Sequence, residues 1–323
     1  MKNRNVSVDL FRFLAALSIM FLHTCWGLDD SLLDAYPIIG IVIGRYPVIL
    51  FFTISGYYCF LQISKGRNAA KTQIRSLLKV YCVWTVVYYL MSFVLNVAAG
   101  HEPVGKFFAE RVLYFFTEGS YPHLWYVISL IYVMILICLV YELCGEKGIR
   151  ILAAVSMILF MIGVLGTSYL PLGEQIPVLG DFYGWKYYFV RLLPVIEKRP
   201  KLAETGFFIT SVLGMIEGML VIQKGWISDF PSMFLMPFVL IFGMSCLIRH
   251  PLGQLESHAV FLKRMSSYIY FVHPAVIAVL GFLLQVTGVH LSYWMDYIIV
   301  AGLVLCSGII LMKIKRPWTK LFI

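Results

Sequence analysis

The chain has 323 residues, of which 60% are hydrophobic and only 13% charged, with a formal net charge of +9. A soluble protein carries about 25% charged residues, so composition excludes a soluble enzyme and points to a polytopic membrane protein. The basic excess does not imply a nucleic-acid partner, because the Lys and Arg residues sit in short segments between apolar runs.

Apolar runs of helical length fall at 7–26, 47–64, 80–98, 123–141, 151–170, 185–197, 205–223, 231–249, 266–287 and 296–313. They predict an all-α fold of about ten transmembrane helices in one membrane domain, 1–323. With the N-terminus inside, 20 Lys and Arg residues fall on cytoplasmic flanks and 5 outside, Arg191 lying within the sixth run. That asymmetry places both termini in the cytoplasm. The first run is not a cleavable signal, since Asp9 and Arg12 interrupt it and further spans follow.

The first span carries Asp9, Arg12 and His23. Charge inside hydrocarbon is costly and marks a pathway or a site. At ~100° per residue Arg12 and His23 return to within about 20° of one face, and Asp9 lies roughly 40° from His23. One polar stripe therefore runs from a carboxylate and a guanidinium to an imidazole about half a bilayer core away. His23 is either a base for a hydroxyl proton or a histidine hydrogen-bonded at the interface.

The first cytoplasmic segment holds Lys65, Arg67, Lys71, Arg75 and Lys79. Arg75 and Lys79, four apart, are neighbours on one helical face and could grip donor phosphates. The same charges also suit anchoring to anionic lipid. Phe51-Phe52-Thr53-Ile54-Ser55-Gly56-Tyr57 places small residues in mid-span, as close helix packing requires. Ser55 lacks the G-x-S-x-G elbow of a serine nucleophile.

His123-Leu124-Trp125-Tyr126 opens the fourth span at the outer side, level with His23 and near an acceptor. The sixth span is short, contains Arg191 and Pro194, and reads as a broken helix. Glu217 and Arg191 are buried opposite charges that could pair with each other. His273, in Tyr270-Phe271-Val272-His273-Pro274, falls in the inner half of the ninth span, where Pro274 should kink the helix. The seven cysteines show no C-x-x-C or metal-ligand spacing, so neither disulfide nor metal is expected.

These pieces, in this order, resemble the acyltransferase-3 family of integral membrane acyltransferases over essentially the whole chain. Arg12 followed eleven residues later by His23 is similar to the family's Arg-x10-His signature. Phe51 to Tyr57 resembles its FF-x-x-SG-[FY] element, and His123-Leu124-Trp125 and Tyr270-Phe271-Val272-His273 resemble two further elements. The family's Arg-x3-Arg motif stands here as Arg75-x3-Lys79, which keeps the charge but loses one bidentate fork.

The resemblance implies transfer of an acyl group, most often acetyl, from cytoplasmic acyl-CoA to a hydroxyl of an extracytoplasmic sugar or glycopolymer. It implies His23 as catalytic residue, as base or acyl carrier, with Asp9 and Arg12 in the same stripe. Arg12, Arg75, Lys79 and His273 would serve the donor; His123, Trp125, Glu217 and Arg191 would serve the acceptor. No tightly bound cofactor is implied, only acetyl-CoA as co-substrate, with the bilayer of a bacterial plasma membrane as surroundings. Lys79-Val80-Tyr81-Cys82-Val83-Trp84 and Gly119-Ser120-Tyr121-Pro122-His123 also resemble a branch of the family, the membrane part of vancomycin-resistance serine racemases. There the domain precedes a pyridoxal-phosphate racemase and is associated with serine import, so a small-solute transporter is the alternative. With the residues ending just past the tenth span, no second catalytic domain is expected among them.

Overall fold

The computed structural model describes residues 5–25, 37–63, 67–98, 103–117, 119–165, 198–224 and 233–314. The fold is all-helical, with no strand among the described residues. In chain order the helices are α1 (Val6–Cys25), α2 (Pro37–Ile63), α3 (Arg67–Ser92), α4 (Val104–Phe116) and α5 (Trp125–Val164). They continue with α6 (Pro200–Gln223), α7 (Met236–Arg249), α8 (Ala259–Thr287) and α9 (Tyr293–Lys313). A π-helical turn, Phe93–Ala98, extends α3, and a 3-10 segment, Gly253–His258, leads into α8.

Among the described residues, six stretches are long and apolar enough to cross a membrane: Val6–Thr24, Ala70–Asn96, Trp125–Ile162, Pro200–Val221, Gly253–Thr287 and Trp294–Lys313. Tyr46–Cys59 and Met236–Arg249 are apolar but shorter. Large apolar side chains such as Leu90, Phe208, Val286 and Ile298 are exposed, a surface suited to lipid rather than water.

The elements depart from the expected runs in several places. Helix α2 starts at Pro37, about ten residues before the expected 47, and continues through Pro47. Proline at a first helical position is favoured, whereas interior Pro47 removes one backbone bond and crowds the carbonyl four residues before it. Helix α3 begins at Arg67, between three and four turns ahead of its apolar run at 80, carrying the cationic segment with it. Val104–Phe116, which reads as an outer loop, is a helix. The fourth and fifth spans meet at Gly145 (φ 57, ψ −150) without an intervening loop. A Cβ on Gly148 would lie 3.0 Å from Val140 Cγ1, eight positions back, where a straight helix would separate them by about 12 Å, so the chain folds back here. The expected sixth span at 185–197, with Arg191, lies outside the described residues.

The chain divides into two compact units, 1–61 with 140–266, and 62–139 with 267–323. In the first, α6 packs along α7 through paired glycine–phenylalanine contacts. Gly206 lies against the Phe242 ring and Gly243 against the Phe207 ring, the absent Cβ atoms admitting the rings. Asn5 ties α1 to the end of α7. Its Oδ1 accepts from Ser7 N at 3.0 Å and Val8 N at 3.3 Å, capping α1. Its Nδ2 donates to the Leu247 and Ile248 carbonyls at 3.2 and 2.9 Å, satisfying groups that the end of α7 leaves open.

The second unit is organised by aromatic rings. Tyr81, Trp84 and Tyr88, spaced three and four apart on α3, share one face and pack on Leu124, Val127, Ile128 and Ile131. Three tyrosine hydroxyls hold α4 by its carbonyls: Tyr81 donates to Phe115 O at 2.7 Å, Tyr132 to Phe116 O at 2.5 Å, and Tyr89 to Arg111 O. Two of these carbonyls lie in the last turn of α4, where no intrahelical donor remains.

Candidate functional site

The first unit holds the predicted stripe. Helix α1 is continuous, so Arg12 and His23 stand about 16 Å apart along its axis. Asp9 is buried, Arg12 and His23 are partly buried, and Leu14 is the one exposed residue among positions 5–24. The helix is therefore enclosed by protein on nearly every side, which spares its charges from hydrocarbon. Asp9 lies in the first turn of α1 and His23 in the last. Arg12 Nη1 lies 3.9 Å from Asp9 Oδ1, a long ion pair, and the guanidinium sits 5.4 Å from the centroid of the Tyr58 ring on α2. Ser18, between Arg12 and His23, shares a 2.7 Å hydrogen bond with the Tyr46 hydroxyl. Phe52, Thr53 and Ile54 are buried, and Thr53 Oγ1 returns to the Ile49 carbonyl at 2.8 Å. That part of the FF-x-x-SG element packs rather than reacts.

Glu217 occupies a structural position. Its two carboxylate oxygens accept from Phe234 N at 2.5 Å and Leu235 N at 2.8 Å, at the start of α7. A carboxylate there satisfies open N–H groups and complements the helix dipole. Its expected partner, Arg191, lies outside the described residues. Glu217→Ala should lower stability by about 1–3 kcal/mol through loss of this cap. A thermal unfolding midpoint in detergent checks it, with Glu217→Gln losing less because its amide oxygen still accepts. An unchanged midpoint would remove the capping role.

The second unit brings together residues that the sequence reading separates. His123 and His273 are both buried, with ring centroids 5.9 Å apart. His273, grouped by resemblance with Arg75 and Lys79, lies beside His123. Mid-helix on α8 it meets the non-helical segment entering α5, in which Gly119, Ser120, His123 and Leu124 are buried, Tyr121 is partly buried and Pro122 is exposed. Here Ser120 and Thr85 hydroxyls bond at 2.6 Å, and Leu124 N donates to Tyr121 O at 2.8 Å.

Tyrosines frame the imidazoles. His123 meets Tyr88 edge-on at 4.7 Å, Tyr270 at 5.5 Å and Tyr121 at 5.6 Å, while Tyr88 stacks on Tyr121 at 4.3 Å. The Tyr270 hydroxyl donates to the His123 carbonyl, and that of Tyr88 to the Phe271 carbonyl at 2.6 Å. His273 Nδ1 lies 2.7 Å from the Ile269 carbonyl. A carbonyl only accepts, so Nδ1 carries a proton and a neutral His273 keeps its lone pair on Nε2. Burial pushes the Tyr121 hydroxyl up from its ordinary range and the Arg111 charge draws it back, leaving it protonated at neutral pH. The tyrosine frame was missed by motif reading, although the 81–84–88 spacing on α3 signals it.

Lys71, Arg75 and Lys79 form one exposed ridge on α3. From Lys79 to the level of Tyr88 and His273 is about 14 Å along that helix. Trp125 opens α5 and is partly buried beside His123 in sequence.

Apolar helices with ionisable side chains held inside them define an all-helical, multi-pass membrane protein. The acyltransferase-3 model, an acyltransferase domain, matches residues 5–313, and the chain belongs to that family. Among characterised proteins it is similar to a serine/alanine racemase of Enterococcus gallinarum, 26% identical over 98% of this chain and 47% of that protein. It is also similar to two amino-acid racemases of Enterococcus faecalis. One is 28% identical over 57% of this chain and 26% of that protein, the other 24% identical over 89% and 37%. The chain thus spans less than half the length of these relatives. No solved structure matches it.

Proposed function

We propose that this protein is a ten-span membrane acyltransferase, with both termini cytoplasmic, that moves an acyl group, acetyl by preference, from cytoplasmic acyl-CoA to a hydroxyl of an extracytoplasmic sugar or glycopolymer. The observation that carries the reading is α1. In a chain of the acyltransferase family, this helix keeps Asp9, Arg12 and His23 within protein while crossing the apolar layer.

In the proposed step His23 accepts the proton of the acceptor hydroxyl and the oxygen attacks the thioester carbonyl. The C–S bond breaks, CoA leaves as thiolate and takes up a proton, and the ester remains on the acceptor. If His23 carries the acyl group first, an acyl-imidazole forms before the hydroxyl attacks. Acid quenching after a pulse of labelled acetyl-CoA separates the routes, since only the second leaves label on protein. Arg12, Arg75 and Lys79 are the donor-side cations, suited to pyrophosphate and 3′-phosphate charge.

The names of the racemase relatives support a second reading, a domain of the same fold that moves a small polar solute such as serine. Purified protein in liposomes decides between them. A transferase moves radiolabel from acetyl-CoA into glycan or lipid acceptors, and Lys79→Glu raises its KM for acyl-CoA by charge reversal. A transporter accumulates labelled serine without acyl-CoA. Absence of any acyl-CoA affinity would overturn the first reading, and an unchanged KM in Lys79→Glu would return that cation to lipid anchoring.

A further inference from the structure

Helix α4, which reads as loop in the sequence, has two faces. Val104, Phe108, Val112, Leu113 and Phe116 are exposed, whereas Phe107 is buried and Arg111, Tyr114 and Phe115 are partly buried. Arg111 therefore lies on the protein-facing stripe and not among the apolar side chains that suit lipid. Its guanidinium carbon sits 5.0 Å from the Phe107 ring centroid and 5.9 Å from that of Tyr114. Its Nε is buried and meets no acceptor among the described residues. The adjacent acid, Glu110, is turned to Lys106 at 3.7 Å. The guanidinium thus keeps a buried Nε without an acceptor beside two ring faces while the residue stays partly exposed, and a carboxylate or phosphate would complete it. The site is also held in place: the Tyr89 hydroxyl donates to the Arg111 carbonyl, and Tyr81 and Tyr132 hold the end of the same helix. Tyr89, which holds the Arg111 carbonyl, follows Tyr88 on α3, and Tyr88 meets His123 edge-on at 4.7 Å.

We infer that Arg111, flanked by Phe107 and Tyr114, is an anion-binding subsite that takes the carboxylate or phosphate of a charged, hydroxyl-bearing acceptor. Planar guanidinium matches either oxyanion bidentately, and aromatic rings suit the apolar faces of a sugar. The inference rests on the proposed function in placing this region on the extracytoplasmic, acceptor side. It narrows the acceptor to an acidic sugar or a phosphate-bearing polyol.

The test uses the full chain in nanodiscs of zwitterionic lipid, without acyl-CoA, reading ligand-induced shifts of the unfolding midpoint. The probes are glucuronate, glycerol 3-phosphate and glucose. At least one anion should bind roughly tenfold or more tightly than glucose, and Arg111→Gln should weaken it by a similar factor. Arg111→Lys, which keeps charge without the fork, should fall between the two and serves if Arg111→Gln does not fold. Which anion binds more tightly separates carboxylate from phosphate recognition. Equal binding by wild type and variants, or equal binding of glucose and the anions, would overturn the inference. So would an Arg111 effect that appears only when phosphatidylglycerol is added, because the anion would then be a lipid headgroup. Arg111-dependent anion binding in a protein that transfers no acyl group would leave this inference standing and remove the transfer reading alone.

Discussion

His23→Ala should reduce acyl transfer from labelled acetyl-CoA by about 10²- to 10⁴-fold, the range attributable to a positioned general base. The thermal midpoint should change little. His23 is partly buried in the last turn of α1, and the helix is held independently by the Asn5 cap and by Ser7, whose hydroxyl accepts from Leu252 N at 2.9 Å. KM for acyl-CoA should also be nearly unchanged, because the donor-side cations are untouched. Loss of rate together with loss of fold would make His23 structural, and retained rate would remove it from the mechanism.

Gly119→Ala should be the most destabilising single methyl addition in the second unit. Gly119 has φ 89, and a Cβ there would come within 2.5 Å of Trp125 N and 2.8 Å of its Cα. Strain in such backbone costs about 1–3 kcal/mol on its own. The clash adds to it, because the atoms in the way belong to backbone and cannot swing aside. Gly145 is the control. At φ 57 it bears similar strain, yet a Cβ there meets nothing within 4 Å. Gly145→Ala should therefore cost only the strain, and the two midpoints should differ clearly. Gly119→Ala should also shift His123, measurable as loss of activity even at temperatures where the protein remains folded. Equal midpoints for the two variants would show that residues 119–124 yield easily and do not fix the imidazole.

Much of α1 was legible in sequence because helical periodicity acts within one element. Knowing that Val6–Cys25 is a helix is enough to put Asp9, Arg12 and His23 on one face. The fate of Glu217 was not legible. A membrane carboxylate suggests an opposite charge or a substrate, and only the approach of the 233–236 backbone shows that it caps α7. The pairing of His123 with His273 was hidden for a related reason. Sequence reading put His123 at the outer end of the fourth span and His273 in the inner half of the ninth, and only the packing of α8 against the segment before α5 brings the two rings to 5.9 Å.

Composition and local pattern alone determined an all-helical membrane protein, the polar stripe of α1 and the family resemblance. These follow from short-range rules: apolar length, 3.6-residue periodicity and the cost of charge in hydrocarbon. Tertiary structure decided which polar groups are used up within the fold and which face one another. It enclosed α1, assigned Glu217 to a helix end, placed the tyrosines around two histidines and turned Arg111 inward on a helix that reads as a loop. Contacts between residues a hundred or more positions apart depend on how whole helices pack, and no window along the chain contains that information.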